Sequence, residues 1–308
     1  MPTGIPTNRT SVTLPAELSQ EVLQKARDAS VVMQLATRVA LPGRGVDIPT
    51  ITGDPEAEWV GETDAKPVKK PGIGLKQMRG HTLSVILPFS NQFRRDLPAL
   101  YDNIVARMPG AMGRKVDGTV IGRYASPGTG FDTLSTATVQ SIIASEGHTA
   151  YNGLTAAYSD IAENGGLLTG FALSPYADSI LLDATDSTGR PLFASSVSEG
   201  PLGRILGAQV AHGRGLYKPG TAAAASSSGS PALVGIAGDW TQAMYGLVND
   251  LEMSFSDQAT LTYVDENNET VTVNLWQRNM FAVRLEFEMG FVANVDAFNL
   301  LSGATPQA

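Results

Sequence analysis

The sequence has no cysteine and only three histidines among its 308 residues. Without thiols, the chain forms no disulfide, carries no thiolate nucleophile and offers no cysteine-ligated metal site. His81, His148 and His212 are isolated, with no second histidine or carboxylate at a ligand spacing such as i+4. Surface or strand-end positions explain them better than metal binding or base catalysis. We therefore expect no metal and no cofactor.

Basic residues are also scarce. The sequence has 22 lysines and arginines against 30 aspartates and glutamates, which gives a formal net charge of −8. A surface that grips nucleic acid through charge needs clustered lysine and arginine, so this class of protein is disfavoured. No run of apolar residues approaches the ~18 that a membrane span requires. The first ten residues lack the charged and apolar regions of a signal peptide. We expect a soluble protein, made in the cytosol, with no membrane partner.

Motifs of catalysis are missing as well. The Gly-x-Gly patterns are turns, because none fits a dinucleotide or phosphate loop, and no GxSxG, HExxH or SxxK pattern has the context it needs. The acidic run 54–58 lacks a calcium-loop pattern, and a solvated turn explains it better. Arg284, Glu286 and Glu288 alternate on one strand face, where cross-strand or intersubunit ion pairs are favoured over a catalytic carboxylate pair. We expect no enzyme.

The clearest secondary structure lies near the end of the sequence. Between Met280 and Val292, large apolar residues alternate with smaller or charged ones, which predicts a long strand with one wet face. Upstream, 246–256 is a second strand, while 260–264 and 270–274 predict a hairpin around the polar turn 265–269. With the helices below, this pattern predicts an α+β fold.

Three amphipathic helices are predicted. The first covers 14–29, with Leu18 and Val22 on its apolar stripe, and the stretch 31–39 extends it or forms a strand. The second starts with Asp96 as N-cap and runs to Val120, and we favour one kinked rod because its apolar face continues across Pro109. The third lies around 154–163, with inward residues Leu154, Ala157, Tyr158 and Ile161. Further short elements are expected at 82–89, 167–173, 175–182, 203–210 and 233–237.

A long polar loop interrupts this pattern between Ile51 and Met78, where glycine, proline and lysine are frequent. It buries little by itself, and we expect Trp59 to anchor it. An N-terminal arm, a projecting loop and a flat β region each leave groups uncovered in a monomer. Neighbouring copies would cover them, which indicates a chain built for contact with itself.

Several short motifs, in their order and spacing, resemble those of the major capsid proteins of tailed bacteriophages, whose shell fold encapsulins share. They include Trp59-Val-Gly-Glu62 before the lysine-rich loop, Val116-Asp-Gly118 at the end of a helix, and Gly238-Asp-Trp240. The terminal stretch from Asn279 to Phe291, followed by Asp296-Ala-Phe298, completes the set.

The resemblance implies a phage-capsid shell fold in four segments. These are an N-terminal arm with a short helix (1–48), an extended loop (49–82), a peripheral domain (83–149 and 258–308) and an axial domain (150–257). The peripheral domain would carry the long spine helix and the β hairpin, and the extended loop would lie over a neighbouring subunit.

The implied function is structural. The chain would assemble as pentamers and hexamers into an icosahedral virion shell around phage DNA, without sequence-specific DNA binding. Portal, scaffold and decoration proteins are further expected partners. Subunit contacts are expected at Leu18, Val22, Trp59, Lys66, Lys69, Lys70, Arg284 and Glu286.

Two other functions stay open at this point. One is an encapsulin-like bacterial compartment that encloses a cargo enzyme, and the other is a hydrolase or small-ligand-binding protein. One capsid family member crosslinks its shell through a loop lysine and an asparagine, with a glutamate as catalyst. The loop lysines fit that scheme, but no matching Asn and Glu motif is present.

Overall fold

The structure, a computed structural model, describes residues 25, 26, 29–53, 59, 72–96, 98–143, 149–185, 188, 190–193, 202–222, 229–264 and 268–303. The helices assigned in these ranges are α1 (Val31–Leu35), α2 (Asn91–Asp96), α3 (Pro98–Val120), α4 (Ala150–Glu163) and α5 (Pro175–Leu182). The first strands are β1 (Thr37–Ala40), β2 (Val46–Gly53), β3 (Gly72–Met78), β4 (His81–Ser90), β5 (Thr138–Ser141), β6 (Gly170–Leu173) and β7 (Arg204–Ile205). The remaining strands are β8 (Ala208–His212), β9 (Leu233–Gly238), β10 (Ala243–Ser256), β11 (Thr260–Val264), β12 (Thr270–Asn274), β13 (Met280–Ala293) and β14 (Phe298–Ser302).

A four-stranded sheet in the order β1-β10-β13-β4 forms one half of the fold. Its central strand β13 confirms the predicted alternation, because Phe281, Val283, Leu285, Phe287, Met289 and Phe291 are all buried. The wet face is shorter than expected. Ala282 and Val292 on that face are also buried, since neighbouring hairpins cover both ends of the strand. Solvent reaches the face mainly around residues 284–288.

A six-stranded sheet in the order β5-β14-β9-β6-β8-β7 forms the other half. Its strands β6 and β9 are buried along their whole length, which matches their uninterrupted apolar and glycine composition. Leu154 and Ile161 of α4, and Leu181 of α5, pack in one core cluster with Phe171 and Val234 of the sheet.

The spine helix α3 is a single helix of 23 residues with Pro109 inside it, as predicted. Met108, Met112, Val116 and Val120 follow one another at four-residue spacing and are buried. The predicted N-cap was wrong, because Asp96 is the last residue of the separate helix α2. That helix ends at Asp96, and α3 begins at Pro98.

Two antiparallel hairpins complete the described fold. Strands β2 and β3 pair from Val46↔Met78 to Gly53↔Gly72, so the predicted extended loop has a hairpin base. Strands β11 and β12 pair from Thr260↔Asn274 to Val264↔Thr270, which confirms the two predicted strands, while residues 265–267 of the predicted turn lie outside the described residues.

The third predicted helix is present as α4, but one of its inward residues was misplaced. Leu154, Ala157 and Ile161 are buried, whereas Tyr158 is 50% exposed. The buried stripe of α4 is therefore narrower than the sequence pattern suggested, and Tyr158 lies at its edge. Most of the first predicted helix, including Leu18 and Val22, lies outside the described residues, although Lys25, Ala26 and Ala29 are helical.

Sheet membership bears on the four predicted segments. Strand β10 falls within 150–257, yet it pairs with β13 in the four-stranded sheet. Strands β5 and β14 fall within 83–149 and 258–308, yet both join the six-stranded sheet. The division into arm, loop, peripheral and axial segments stays a prediction, and the sheets favour moving its boundaries at these three strands.

Candidate assembly surfaces

The spine helix is tied to the N-terminal part of the chain through Asp117. This carboxylate is fully buried and accepts hydrogen bonds from Ser30 Oγ at 2.7 Å, Val31 N at 3.1 Å and Val32 N at 3.2 Å. It therefore caps the N-terminus of α1, whose first amide groups have no partner within the helix. Burial raises the pKa of Asp117 to about 6, although the three hydrogen bonds oppose this shift.

The base of the β2–β3 hairpin is fixed to the end of β13. Lys76 Nζ lies 2.8 Å from Asp132 Oδ2 and also donates to the carbonyl of Ala293. Asp132 Oδ2 in turn accepts from Ala293 N at 3.2 Å. Met78 is fully buried in a small apolar cluster with Leu41 and Val292. The hairpin thus leaves the body of the subunit from a fixed point.

Beyond this base, the described part of the extended loop exposes large apolar side chains. Leu75 is 73% exposed, and Trp59 is exposed to the full extent of a free side chain. Trp59 was expected to anchor the loop, and this expectation is wrong, because its side chain is fully exposed. A tryptophan left in water is unfavourable unless another surface covers it.

The other expected contact residues have mixed placements. Lys66, Lys69 and Lys70 lie outside the described residues. Arg284 and Glu286 form an ion pair within β13, with Arg284 Nη2 3.1 Å from Glu286 Oε1. Arg284 Nε also donates to Ser254 Oγ at 3.2 Å. Both charges therefore have partners within the chain, and their predicted role between subunits stays a prediction.

Sequence reasoning missed several exposed apolar residues on the other elements. Tyr151 and Tyr158 lie two helical turns apart on α4 and are about half exposed. Val264 and Trp276 project from the β11–β12 hairpin and the turn after it, with 61% and 70% exposure. Further cases are Val139, Leu167, Tyr176, Leu182, Leu206 and Tyr263. No sequence signal separates these exposed residues from core residues, because both groups are apolar and recur at the spacing of a helix or strand.

The Gly238-Asp-Trp240 motif has a structural role in the six-stranded sheet. Asp239 accepts from Leu167 N at 3.2 Å, from Thr241 Oγ1 at 2.6 Å and from Gln242 Nε2 at 3.1 Å. These hydrogen bonds lower its pKa, although partial burial opposes them. Trp240 packs edge-to-face on Phe298, and its indole donates to the carbonyl of Gly170 at 3.1 Å.

Of the histidines, His212 is not isolated in space. Its Nδ1 lies 2.9 Å from Asp178 Oδ2, and its Nε2 lies 3.1 Å from the carbonyl of Leu202. Burial raises the pKa of Asp178, and His212 opposes the shift.

Among the described residues, no three His, Cys, Asp or Glu side chains are grouped closely enough to hold a metal. No helix in the described part is long and apolar enough to cross a membrane.

The described residues thus form two sheets, a long spine helix and a hairpin with a fixed base, with apolar residues exposed on several faces. The profile of the phage capsid family matches residues 10–301, and the chain belongs to that family. The resemblance inferred from the sequence motifs is thereby confirmed, and the encapsulin alternative is not favoured.

Individual relatives agree with this assignment. The probable major capsid protein gp17 of Mycobacterium phage L5 is 31% identical over 300 residues, covering 92% of this chain and 87% of that protein. A structure from Gordonia phage Cozz, at 21% identity, shares the fold with a TM-score of 0.71, covering 99% of this chain and 92% of the other. The capsid of a native GTA particle, at 16% identity, gives a TM-score of 0.60 over 99% of this chain and 95% of the other. The chain is a structural subunit of a self-assembling capsid and not an enzyme.

Proposed function

We propose that the chain is a major capsid protein that assembles as pentamers and hexamers into the icosahedral head of a phage. The observation that carries the proposal is the contrast within one hairpin. Its base is held by Lys76, Asp132 and Met78, whereas Trp59, in the segment that joins its two strands, has a fully exposed side chain. A hairpin with a fixed base holds its exposed tryptophan ready to pack against a neighbouring copy, as aromatic residues do at the centre of many interfaces.

The stability of such a shell comes from the number of contacts. A specific interface typically buries about 1,600 Å² in total, and each subunit of a closed shell meets several neighbours. The exposed residues lie on both sheets and both hairpins, as contacts in several directions require. Modest pairwise energies then add up to a shell that resists internal pressure.

Net charge supports a container for DNA more than a DNA-binding protein. At a formal charge of −8, the subunit repels the phosphate backbone overall. A weakly interacting lining opposes neither packaging nor release of the genome. In this proposal the subunit is made in the host cytoplasm, enclosed DNA is held without sequence recognition, and portal, scaffold and decoration proteins join the shell.

Assembly of the purified chain tests the proposal. Size-exclusion chromatography with light scattering should yield megadalton particles or rings of five and six subunits under some condition of salt or crowding. Negative-stain electron microscopy of the earliest peak should show closed shells. A species of about 32 kDa under every condition would contradict it.

A further inference from the structure

Basic residues are concentrated in two stretches of the sequence that the fold brings together. Residues 103–131 contain one acidic residue, Asp117, and residues 202–222 contain none. The basic residues of these two stretches are Arg107, Arg114, Lys115, Arg123, Arg204, Arg214 and Lys218. Asp117 is buried, and its oxygens already accept three hydrogen bonds. The two stretches therefore present only positive charge at the surface, although the whole chain has a formal charge of −8.

Contacts between the two stretches join five of these cations in one region of the surface. Arg123 Nη1 donates to the carbonyl of Tyr217 at 3.2 Å, which places it next to Lys218 in the chain. Gly215 packs closely on the spine helix, because a Cβ atom there would lie 2.9 Å from the Cα of Arg114. We call the cations that these contacts bring together the basic patch, which consists of Arg114, Lys115, Arg123, Arg214 and Lys218.

Tyr124 lies between two cations of the basic patch. Lys115 Nζ is 3.2 Å from the centroid of its ring, and Arg123 Cζ is 5.4 Å from the same centroid. The ring packs on Gly118, where a Cβ atom would lie 2.7 Å from Tyr124 Cε2. Cation–π attraction keeps the two cations near the ring despite their mutual repulsion. The positive charge is thus already gathered in the free subunit.

No carboxylate neutralises the basic patch within the part of the chain that the structure describes. Four of its residues are exposed, and Lys218 is half-buried. None of the five forms an ion pair with a described residue, whereas Lys76, Arg95 and Arg284 do so elsewhere. Like charges gathered on one surface repel one another. An anionic partner would therefore lower the free energy of this surface.

We propose that the basic patch binds the phosphate backbone of double-stranded DNA. The inference rests on the proposed function and deepens it by naming the surface through which the subunit contacts the enclosed DNA. Arginine, lysine and tyrosine side chains donate to phosphate oxygens without reading the base sequence. Duplex DNA carries one negative charge per about 1.7 Å of its axis, whereas an extended acidic peptide carries at most one per about 3.4 Å. The denser anion fits five gathered cations better.

The overall negative charge of the subunit does not prevent this contact. At physiological salt the Debye length is about 8 Å, so carboxylates on other faces are largely screened from the basic patch. The attraction that remains is independent of sequence and weakens as salt rises. A contact of this kind is reversible, which is compatible with both packaging and release of DNA.

Fluorescence anisotropy of a labelled duplex of about 30 base pairs, titrated with unassembled subunits, tests the proposal. The affinity should fall steeply between about 50 mM and about 200 mM salt, and a duplex of scrambled sequence should bind within about twofold. Arg114→Gln with Arg214→Gln should weaken binding at about 50 mM salt by at least about tenfold. The same variant should reduce the slope of log K against log salt by about 2. Unchanged affinity and slope would overturn the proposal.

Two further double variants control for net charge and for folding. Arg44→Gln with Arg278→Gln removes the same charge from exposed sites outside the basic patch and should leave the affinity within about twofold. Arg114→Lys with Arg214→Lys keeps the charge and should bind within about threefold of wild type. If the variants Arg44→Gln with Arg278→Gln and Arg114→Gln with Arg214→Gln lose affinity equally, binding follows net charge and the patch assignment is overturned.

A competitor distinguishes DNA from an acidic protein partner. Poly-glutamate should displace the labelled duplex only at a charge concentration at least about tenfold above that of unlabelled duplex. Equal displacement would indicate a site for an acidic protein segment and would overturn the proposal. Shell formation is measured separately, and its absence would contradict the proposed function. If shells form but the variant Arg114→Gln with Arg214→Gln binds DNA like wild type, only this inference is overturned.

Discussion

The hydroxyl of Ser30 lies 2.7 Å from Oδ1 of Asp117, and this hydrogen bond joins residues 87 positions apart in the sequence. Ser30 also accepts from Met33 N, so one side chain caps α1 and contacts the spine helix. Asp117 adds acceptors for Val31 N and Val32 N. The segment that leaves the body toward the N-terminal arm is therefore fixed by a polar contact inside an apolar core.

The pH dependence of stability should report on Asp117. Because its folded pKa of about 6 lies above the ordinary value of 3.8, the folded state takes up a proton as the pH falls through this window. The stability that protonation of Asp117 adds to the folded state is thus complete below pH 3.8 and is lost as the pH rises through 6. Between pH 7 and pH 5, wild-type protein should gain about 1 kcal/mol relative to Asp117→Asn. Urea unfolding of unassembled subunits at both pH values measures this difference, and equal pH profiles would contradict it.

Removal of the Asp117 carboxylate should lower the free energy of unfolding more than removal of the Ser30 hydroxyl. Asp117→Ala leaves the buried amides of Val31 and Val32 without an acceptor, at a cost of about 3 kcal/mol or more. Ser30→Ala deletes one cap and should cost about 1 kcal/mol. The two free energies of unfolding are compared by urea titration. Similar values for both variants would show that Asp117 is not the main link.

Two glycines of the spine helix form a matched pair. At Gly113 a Cβ atom would lie 2.6 Å from the carbonyl oxygen of Ala26, so Gly113→Ala should destabilise the fold by about 1–3 kcal/mol. At Gly110 the nearest atoms are 3.4 Å and 3.8 Å away, and Gly110→Ala should gain up to about 1 kcal/mol from helix propensity. Equal effects at both sites, measured by urea unfolding, would contradict the close approach at Gly113.

Tryptophan variants should separate folding from assembly. Trp59→Ala should change the free energy of unfolding by less than about 0.5 kcal/mol, because the side chain is fully exposed, yet it should impair particle formation. Trp240→Ala should instead cost about 3–5 kcal/mol, because its indole is buried against Phe298. Unfolding and light-scattering assays on both variants check this. Normal assembly of Trp59→Ala would remove its expected interface role.

The hairpin base should loosen when its ion pair is deleted. Lys76→Met removes the contacts to Asp132 and to the Ala293 carbonyl, and hydrogen exchange in β2 and β3 should rise about tenfold. Lys115→Met, on the spine helix, is the control and should leave exchange in these strands unchanged. If both variants exchange like wild type, the apolar contacts of Met78 hold the base without help from Lys76.

Much of the fold could be predicted from local patterns. The alternation in β13 reports which side of a strand meets the core, and the turn residues 265–269 separate two short strands of matching composition. The spine helix was also predictable across Pro109, because its apolar stripe keeps its phase. Each of these features depends on residues close together in the sequence.

Non-local pairing could not be predicted in the same way. The placement of β10 beside β13, and of β5 beside β14, depends on contacts between distant segments that leave no local pattern. The proximity of Asp178 and His212 has the same origin. Among the exposed apolar residues, the sequence singled out Trp59 because it is the lone aromatic residue in a polar loop, although we expected it to anchor that loop. Tyr151 and Trp276 were not, because apolar residues at core-like spacing give no sign of exposure.

An electron cryomicroscopy map of the assembled particle tests the central claim most directly, because it shows what covers the fixed hairpin and its exposed tryptophan. The account predicts closed shells with five-fold and six-fold clusters, in which Trp59 of each subunit is buried against a neighbouring copy. A map in which Trp59 faces solvent and the subunits meet through other surfaces would contradict it.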